Sequence, residues 1–277
     1  MLWKQFLTPV ASLDPDQARA YITEHDPDSY ELLDVRQPKE YQVGHIPGAT
    51  LAPITELETH IQELDKDKPT LVYCAIGGRS RAASQILAGK GFKHIYNMGG
   101  GFKAWSGEAA FGPVDQGMHI FPEDLTLEQC LVTAFGLELG LQEMYRVFAD
   151  EAISEPPRKL FELLAEIEEK HKSRLLEEYR RSVSPDMDMP GLEKRSQNDA
   201  LEGGMTTEQY LDMLQPNRED KADIIFLAMS IEAQAMDLYE RAARNAKNDD
   251  SRQALQHLGK EEKEHLRRLG ELLDQEG

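Results

Sequence analysis

The sequence predicts two unlike folds in one chain: an α/β unit built on a parallel sheet, followed by an all-α unit of long helices. Three observations predict this. Over residues 1–108, short β-branched or apolar runs alternate with helical stretches across short connections, the pattern of a parallel sheet covered on both faces. A stretch carrying Gly107, Gly112, Pro113, Gly117 and Pro122 follows, and beyond it the patterns lengthen into long helices. Within those helices one set of Glu, Tyr and His spacings occurs twice. A length of 277 residues leaves room for two cores, and the expected boundaries are 1–108, a linker at 109–123, and 124–277.

In the first unit, Ser12–Leu13–Asp14–Pro15–Asp16–Gln17 is a capped helix start, with Pro where a first turn tolerates it. Glu31–Arg36 is expected as a strand, and the segment from Glu40 through Gly44, Pro47 and Gly48 as turn-rich. Thr70–Leu71–Val72–Tyr73 predicts a short buried strand, Ala82–Ala88 a helix, and His94–Asn97 a further strand. Between that buried strand and that helix lies Cys74–Ala75–Ile76–Gly77–Gly78–Arg79–Ser80–Arg81. Backbone N–H groups of a Gly-rich turn at a helix N-terminus converge on one point and carry partial positive charge. A thiol placed there ionises more readily, and the thiolate is the nucleophile. Arg79 and Arg81 add fixed positive charge, whereas a cysteine that merely fills a core needs neither glycines nor arginines.

The loop resembles the active-site loop of the rhodaneses, the single-domain sulfurtransferases. Cys74 to Arg79 is a six-residue C-x-x-x-x-R. Phosphatases of the same fold use one residue more to cradle phosphate, and the shorter loop fits a terminal sulfur carried on the cysteine as a persulfide. Asp34-x-Arg36, Glu40–Tyr41, the run Gly44–His45–Ile46–Pro47–Gly48–Ala49, and Gly99–Gly100–Gly101–Phe102–Lys103–Ala104–Trp105 are similar to the rest of the rhodanese framework. The resemblance covers residues 1–108. It implies Cys74 as sulfur carrier, assisted by Arg79, with Ala75, Ile76, Gly77, Gly78 and Ser80 forming the persulfide loop. His45, Asp34 and Arg36 are framework in that reading. Thiosulfate, polysulfide or persulfide would be the sulfur source.

In the second unit Glu138 is followed seven residues later by Tyr145 and thirty later by Glu168, in Glu168–Glu169–Lys170–His171. Glu232 is followed at the same distances by Tyr239 and by Glu262, in Glu262–Lys263–Glu264–His265. Of eight histidines, only His171 and His265 have Glu three positions before them. Residues three apart are neighbours on a helix, so each Glu-x-x-His presents a carboxylate beside an imidazole. Tyr145 and Tyr239 lie in line with Glu138 and Glu232, two turns on. Apolar neighbours turn these faces inward: Leu137, Leu141 and Phe148 around Glu138; Leu164, Ile167 and Leu175 around Glu168 and His171; Ile231, Ala235 and Leu238 around Glu232; and Leu258, Leu269 and Leu272 in line with His265. Four buried, unpaired carboxylates are prohibitively costly, and metal cations resolve the cost.

Four Glu and two His in this order match the ligand set of ferritin-like di-iron four-helix bundles. Residues 124–275 closely resemble the rubrerythrins. The resemblance implies that Glu168 and Glu262 bridge two metals while Glu138, Glu232, His171 and His265 bind at the ends, with Tyr145 and Tyr239 behind them. Two iron ions per chain are expected, with manganese the alternative, since mixed carboxylate and imidazole ligands suit either better than magnesium. The chain departs from the family in having no Cys-rich iron centre, and in carrying Ala235 where rubrerythrins tend to have a further Glu. Gly136 and Gly140 bracket Glu138, which close helix approach or small-molecule access would justify. Residues 183–218 form the long crossover between helix pairs, broken at Ser184–Pro185, Pro190–Gly191 and Gly203–Gly204. Thr206–Thr207–Glu208–Gln209 caps a short helix ahead of Pro216, and Cys130 is expected as a packing residue.

Net charge is −19 and uneven: residues 1–107 hold 11 Lys/Arg against 13 Asp/Glu, and residues 108–277 hold 20 against 37. Such acidity argues against nucleic acid or an anionic membrane as partner. Two cysteines exclude a disulfide framework and any Cys-based zinc or iron–sulfur site. Met1–Leu7 shows no leader pattern, and no stretch approaches the ~20 apolar residues of a membrane span, so a cytoplasmic protein is expected. Taken together, the resemblances imply a sulfurtransferase joined to a di-iron oxidoreductase acting on peroxide or oxygen, in a sulfide-linked defence against oxidants. The alternative is an iron-oxidising, metal-handling bundle with a rhodanese module for sulfur delivery, persulfide sensing or docking. A homodimer is expected from family resemblance alone.

Overall fold

The structure is a computed structural model that describes residues 10–196 and 200–276, with the side chains of Glu63, Gln275 and Glu276 excepted. Met1–Leu7 and residues 197–199 of the expected crossover lie outside the described residues. The chain divides into two compact units, Met1–Asp115 and Gln116–Gly277.

In the first unit five strands, β1 (Ala11–Leu13), β2 (Glu31–Asp34), β3 (Thr50–Leu51), β4 (Thr70–Tyr73) and β5 (Ile95–Met98), pair in parallel in the order β1-β5-β4-β2-β3. Four helices connect them: α1 (Pro15–Glu24), α2 (Pro38–Val43), α3 (Leu57–His60) and α4 (Gly78–Gly89). Side chains alternate across the sheet. Leu33, Val35, Val72 and Cys74 join one apolar cluster with Ala83 and Leu87 of α4, while Leu32, Leu71 and Tyr73 join the opposite one with Tyr41 and Ile46. Both faces are therefore covered, as the unbroken apolar runs of β2 and β4 require. Cys74 follows the carboxyl end of β4, the central strand, where open α/β sheets present their sites.

The element ends differ from expectation for local reasons. The strand expected over Glu31–Arg36 ends at Asp34, because Arg36 folds back on it. Arg36 Nε and Nη2 donate to Asp34 Oδ2 at 2.9 and 2.6 Å, and Nη2 also donates to the Gly44 carbonyl at 2.6 Å. The guanidinium lies 4.3 Å from the centre of the Phe102 ring. Helix α4 starts at Gly78, four residues before Ala82, since Gly77 caps it within the loop itself. The turn-rich segment contains α2, opened by Pro38 and by a reciprocal Gln37–Glu40 cap.

The second unit holds four long helices, α5 (Leu127–Glu151), α6 (Glu155–Ser182), α9 (Lys221–Asn245) and α10 (Asp249–Glu276). The crossover between α6 and α9 carries α7 (Met189–Arg195) and α8 (Thr207–Leu214). Capping boxes start α5 at Thr126 with Gln129 and α8 at Thr206 with Gln209. The principal packing partners are α5 with α6 and α9 with α10, each pair joined by a turn of three residues. Two apolar clusters fill the unit. Leu137, Leu175, Ala235 and Leu258 belong to one; Leu141, Leu164, Ile231 and Leu269 belong to the other. On every helix the predicted metal-site residue falls between members of the two, so the ionisable groups form one polar layer across the bundle.

The stretch expected as a linker, 109–123, is divided between the units. Ala110 pairs with His45 in both directions at 2.9 Å and Gly112 N donates to the Gln42 carbonyl, whereas Phe121 lies in the bundle core and the Gln116 carbonyl accepts from Arg241.

The Asp34–Arg36 pair is buried, so removing one partner strands the other. Asp34→Ala should destabilise the first unit by about 3–5 kcal/mol. Urea unfolding followed by tryptophan fluorescence checks this, since Trp105 lies in that unit and the second unit's sequence has no tryptophan.

Candidate persulfide loop and metal centre

Cys74 is buried at the base of its loop, while Ile76 at the crest is 70 % exposed. Gly77 N–H donates to Sγ at 3.1 Å, and the Ser80 hydroxyl lies 3.5 Å from it. Ser80 is itself fixed by Asn97 Oδ1 at 2.7 Å, from β5. The loop backbone is held from beneath: Phe102 N donates to the Cys74 carbonyl at 2.7 Å and Lys103 N to that of Ala75 at 3.0 Å. Gly101 (φ +61°) makes this approach possible, since a Cβ there would lie 2.2 Å from the Cys74 carbonyl oxygen. Burial opposes ionisation of Cys74, but the Ser80 hydroxyl and the N–H groups of Ser80, Ile76 and Gly77 outweigh it and hold the thiol below its ordinary value. Cys130 shows burial alone, which pushes it up to about 12.

Arg79 lies on the first turn of α4 with both terminal nitrogens 2.7 Å from the Glu40 carboxylate. That guanidinium holds Glu40 down to about 2 and still lies within electrostatic reach of Cys74. It is therefore a fixed charge beside the loop. His45 is buried and stacked on Tyr41, ring centres 3.5 Å apart, with Nδ1 3.0 Å from the Tyr41 carbonyl, as befits a framework residue. Sequence reasoning missed Glu40 and Asn97 as partners of Arg79 and Ser80, because each contact joins separate elements across the fold.

In the bundle, Glu138 of α5, Glu168 and His171 of α6, Glu232 of α9, and Glu262 and His265 of α10 are all buried in the polar layer. Ligand atoms of Glu138, Glu168 and His171 lie within 4.8 Å of one another, and those of Glu232, Glu262 and His265 do likewise. His171 Nδ1 is 2.8 Å from Glu168 Oε2 and 3.4 Å from Glu138 Oε2 without forming a hydrogen bond to either. His265 Nδ1 is 2.7 Å from Glu262 Oε2 and 3.6 Å from Glu232 Oε2. The two imidazoles stack, centres 3.8 Å apart. Glu138, Glu168 and Glu232 each hold one carboxylate oxygen without a hydrogen-bond partner among the described residues.

This arrangement fits a cation. Burial pushes Glu168 up to about 8, with Glu138 and Glu232 adding to it and His171 opposing. Burial also works against a charged His171, yet the adjacent Glu138 and Glu168 raise it to about 10. Burial likewise raises Glu262. Unpartnered oxygens and a ring nitrogen converging on small volumes are the donor set a cation would satisfy. The oxygen and imidazole donors suit iron or manganese.

Tyr145 and Tyr239 are both fully buried. Tyr145 Oη has no hydrogen-bond partner among the described residues, while Tyr239 Oη donates at 3.3 Å to Glu202 Oε1. Glu202 is the residue that sequence reasoning missed. It comes from the crossover, yet it brings a ligand atom within 4.8 Å of those of Glu138 and Glu262. No periodicity announced it; the sole signal was an acid placed directly before Gly203–Gly204.

A Rhodanese-like domain family matches residues 14–108, and the Rubrerythrin family matches residues 129–273, more than half of the chain. The thiosulfate sulfurtransferase GlpE of Pseudomonas entomophila is 38 % identical over 104 residues, which are 36 % of this chain and 92 % of that protein. The Bacillus subtilis protein YqhL is 44 % identical over 78 residues, 28 % of this chain, and the match spans 62 % of its own length. A rhodanese-like domain protein from Staphylococcus aureus aligns in structure over 37 % of this chain and 98 % of its own, at 27 % identity and a TM-score of 0.34. Among the described residues no helix is long and apolar enough to cross a membrane.

The two thiols should differ in kind. Iodoacetamide at neutral pH is expected to alkylate Cys74 and leave Cys130 untouched, and the rate at Cys74 should persist to lower pH than that of a free thiol; peptide mass spectrometry across a pH series checks both. In the bundle, protons on Glu168 and His171 must leave before a cation binds. Apparent metal affinity should therefore rise with pH up to about 10, most steeply below about 8 where both groups hold protons, with proton release measurable in weakly buffered solution.

Proposed function

The chain belongs to the rubrerythrin family and carries a rhodanese-like domain ahead of its bundle, and on that premise we propose a bifunctional enzyme. Its first unit transfers sulfur through a Cys74 persulfide. Its second is a dimetal oxidoreductase that reduces peroxide or oxygen. The observation that carries the reading is the convergence of buried, unpartnered Glu and His ligand atoms in a bundle whose counterpart unit holds an activated thiol.

In the sulfur step the Cys74 thiolate attacks the outer sulfur of thiosulfate, a polysulfide or a persulfide. The donor's S–S bond breaks, its electron pair leaves with sulfite or the shorter thiolate, and an Sγ–S bond forms. The N–H groups of Ile76, Gly77 and Ser80, with the Ser80 hydroxyl, stabilise the anion before and after transfer. A nucleophilic acceptor then takes the outer sulfur and the electron pair returns to Sγ. Arg79, fixed by Glu40, contributes positive charge at the loop.

In the bundle Glu138, Glu168, His171, Glu232, Glu262 and His265 would hold two metal ions, Glu168 and Glu262 being the carboxylates shared between them. Iron held there would supply the electron transfer that reduction of the O–O bond requires. The apolar clusters above and below exclude water from the layer. We take the electrons to come from reduced sulfur. A Cys74 thiolate and hydrosulfide yield a persulfide anion, one proton and two electrons; those two electrons, with that proton and one more from solvent, turn one peroxide into two waters.

Elemental analysis of anaerobically purified protein beside a peroxide-consumption assay tests the bundle. Wild type should hold two irons per chain, and Glu168→Ala/Glu262→Ala should hold far less; equal metal in both sinks the site. Iron oxidised and retained without peroxide turnover selects the metal-handling alternative. Cys74→Ser should abolish sulfur transfer to cyanide, Arg79→Ala should lower it, and Cys130→Ser should leave it unchanged. The coupling is tested by re-reducing the oxidised, iron-loaded protein with sulfide or polysulfide and following iron absorbance. If Cys74→Ser is re-reduced as fast as wild type, the two sites are chemically independent.

A further inference from the structure

We propose that Glu202 is a metal ligand. With Glu138 and Glu262 it forms a three-carboxylate position for a divalent cation, and it is delivered by the crossover rather than by a bundle helix. The proposal rests on the dimetal reading above and adds to it a residue outside the repeated Glu and Glu-x-x-His pattern.

Glu202 opens a short 3₁₀ turn, Glu202–Gly204, and is fully buried. One oxygen, Oε1, accepts from Tyr239 Oη at 3.3 Å; the other, Oε2, has no hydrogen-bond partner among the described residues. A buried carboxylate served by one long hydrogen bond is costly unless a cation completes it. The ligand atoms of Glu138, Glu202 and Glu262 all lie within 4.8 Å of one another. Glu138 and Glu262 also belong to the two Glu–Glu–His groups. The Glu202 group thus overlaps both, and its carboxylate joins the one centre instead of founding a separate site.

The turn is built to hold this side chain in place. Leu201 N donates to the Met205 carbonyl at 2.8 Å, Gly204 N to the Leu201 carbonyl at 3.0 Å, and Tyr210 Oη to the Glu202 carbonyl at 2.7 Å. Gly203 has φ +74°, and a Cβ there would lie 2.4 Å from Tyr210 Oη and 2.5 Å from Gln234 Cγ of α9. On α5, a Cβ at Gly140 would press to 3.1 Å from the Ala200 carbonyl oxygen, so the small residue two positions after Glu138 admits the chain that carries Glu202. A merely structural role, a neutral acid hydrogen-bonded to Tyr239, would be filled equally by glutamine. A ligand role would not, because an amide neutralises no cation. Three hard oxygen donors fit Fe(II) or Mn(II).

The test is an anaerobic titration of the full chain with Mn(II), repeated with Fe(II). Metal bound per chain is read by elemental analysis after dialysis, and the metal-induced rise in Tm by far-UV circular dichroism. Glu202→Gln should weaken binding at least about 10-fold and shrink the rise in Tm, while its metal-free form melts no lower than metal-free wild type. Glu202→Asp keeps the charge but withdraws it by one methylene, and stands in should the glutamine variant fail to fold; it too should bind more weakly. Wild-type affinity and an undiminished rise in Tm in the folded variant would overturn the proposal and leave the dimetal site standing. A wild type that binds no more metal than Glu168→Ala/Glu262→Ala would overturn both.

Discussion

The bundle is organised around the cost of burying carboxylates. Glu138, Glu168, Glu202, Glu232 and Glu262 share one layer with His171 and His265, all buried. Two imidazoles cannot neutralise five carboxylates, and the orphaned oxygens show that protein donors do not complete the task. Much else in the unit follows from that constraint. The apolar clusters lie on either side of the layer and never interrupt it. The helices are long because each must span cluster, layer and cluster. Phe135, Tyr145 and Tyr239, large and fully buried, close the interior around the charges. A cation supplies what the side chains lack, so metal affinity and folding are two readings of one balance.

The first unit meets a comparable problem with the opposite means. A thiolate is one negative charge, and the loop answers it with N–H dipoles and a hydroxyl pinned by Asn97. The Arg79 guanidinium, within electrostatic reach, is already paired with Glu40. Dipoles fixed by the backbone stabilise an anion without locking it into an ion pair, which leaves the sulfur free to attack. The buried Asp34–Arg36 pair carries its charge elsewhere in the framework, tying β2 to the Gly44 turn and to Phe102.

What was legible in the sequence is what helical and strand periodicity record. The paired spacings of Glu138, Glu168 and His171 with Glu232, Glu262 and His265 are geometric facts about helices, and the structure gathers all six residues into one layer. Cys74 was legible because strand, Gly-rich turn and helix adjoin in the chain. Glu202 was not, since its position depends on a turn with two left-handed glycines packed against α9, and a turn has no period. Glu40 and Asn97 were hidden for the same reason: their contacts link residues 39 and 17 positions away. The early start of α4 and the divided stretch 109–123 show the complementary limit. Composition marks where regular structure weakens, but tertiary hydrogen bonds decide which unit claims each residue.

The uneven charge of the chain can be placed in the same physical frame. Residues 108–277 carry a net of −17 and residues 1–107 a net of −2. The buried layer accounts for only part of that excess; the remainder lies on helix surfaces, as at Glu264 and Glu271 around Arg267. A strongly negative field raises the local concentration of divalent cations and opposes anions. That suits the metal binding proposed for this unit and the uncharged oxidant, peroxide or oxygen, proposed with it. Thiosulfate, polysulfide and hydrosulfide, the sulfur sources proposed for the first unit, are anions, and that unit is the one near neutrality, with Arg79 on the first turn of α4 adding positive charge beside the loop. On the proposed reading, charge thus sorts the two chemistries within one chain: cations toward the carboxylate layer, reduced sulfur toward the amide-lined thiol.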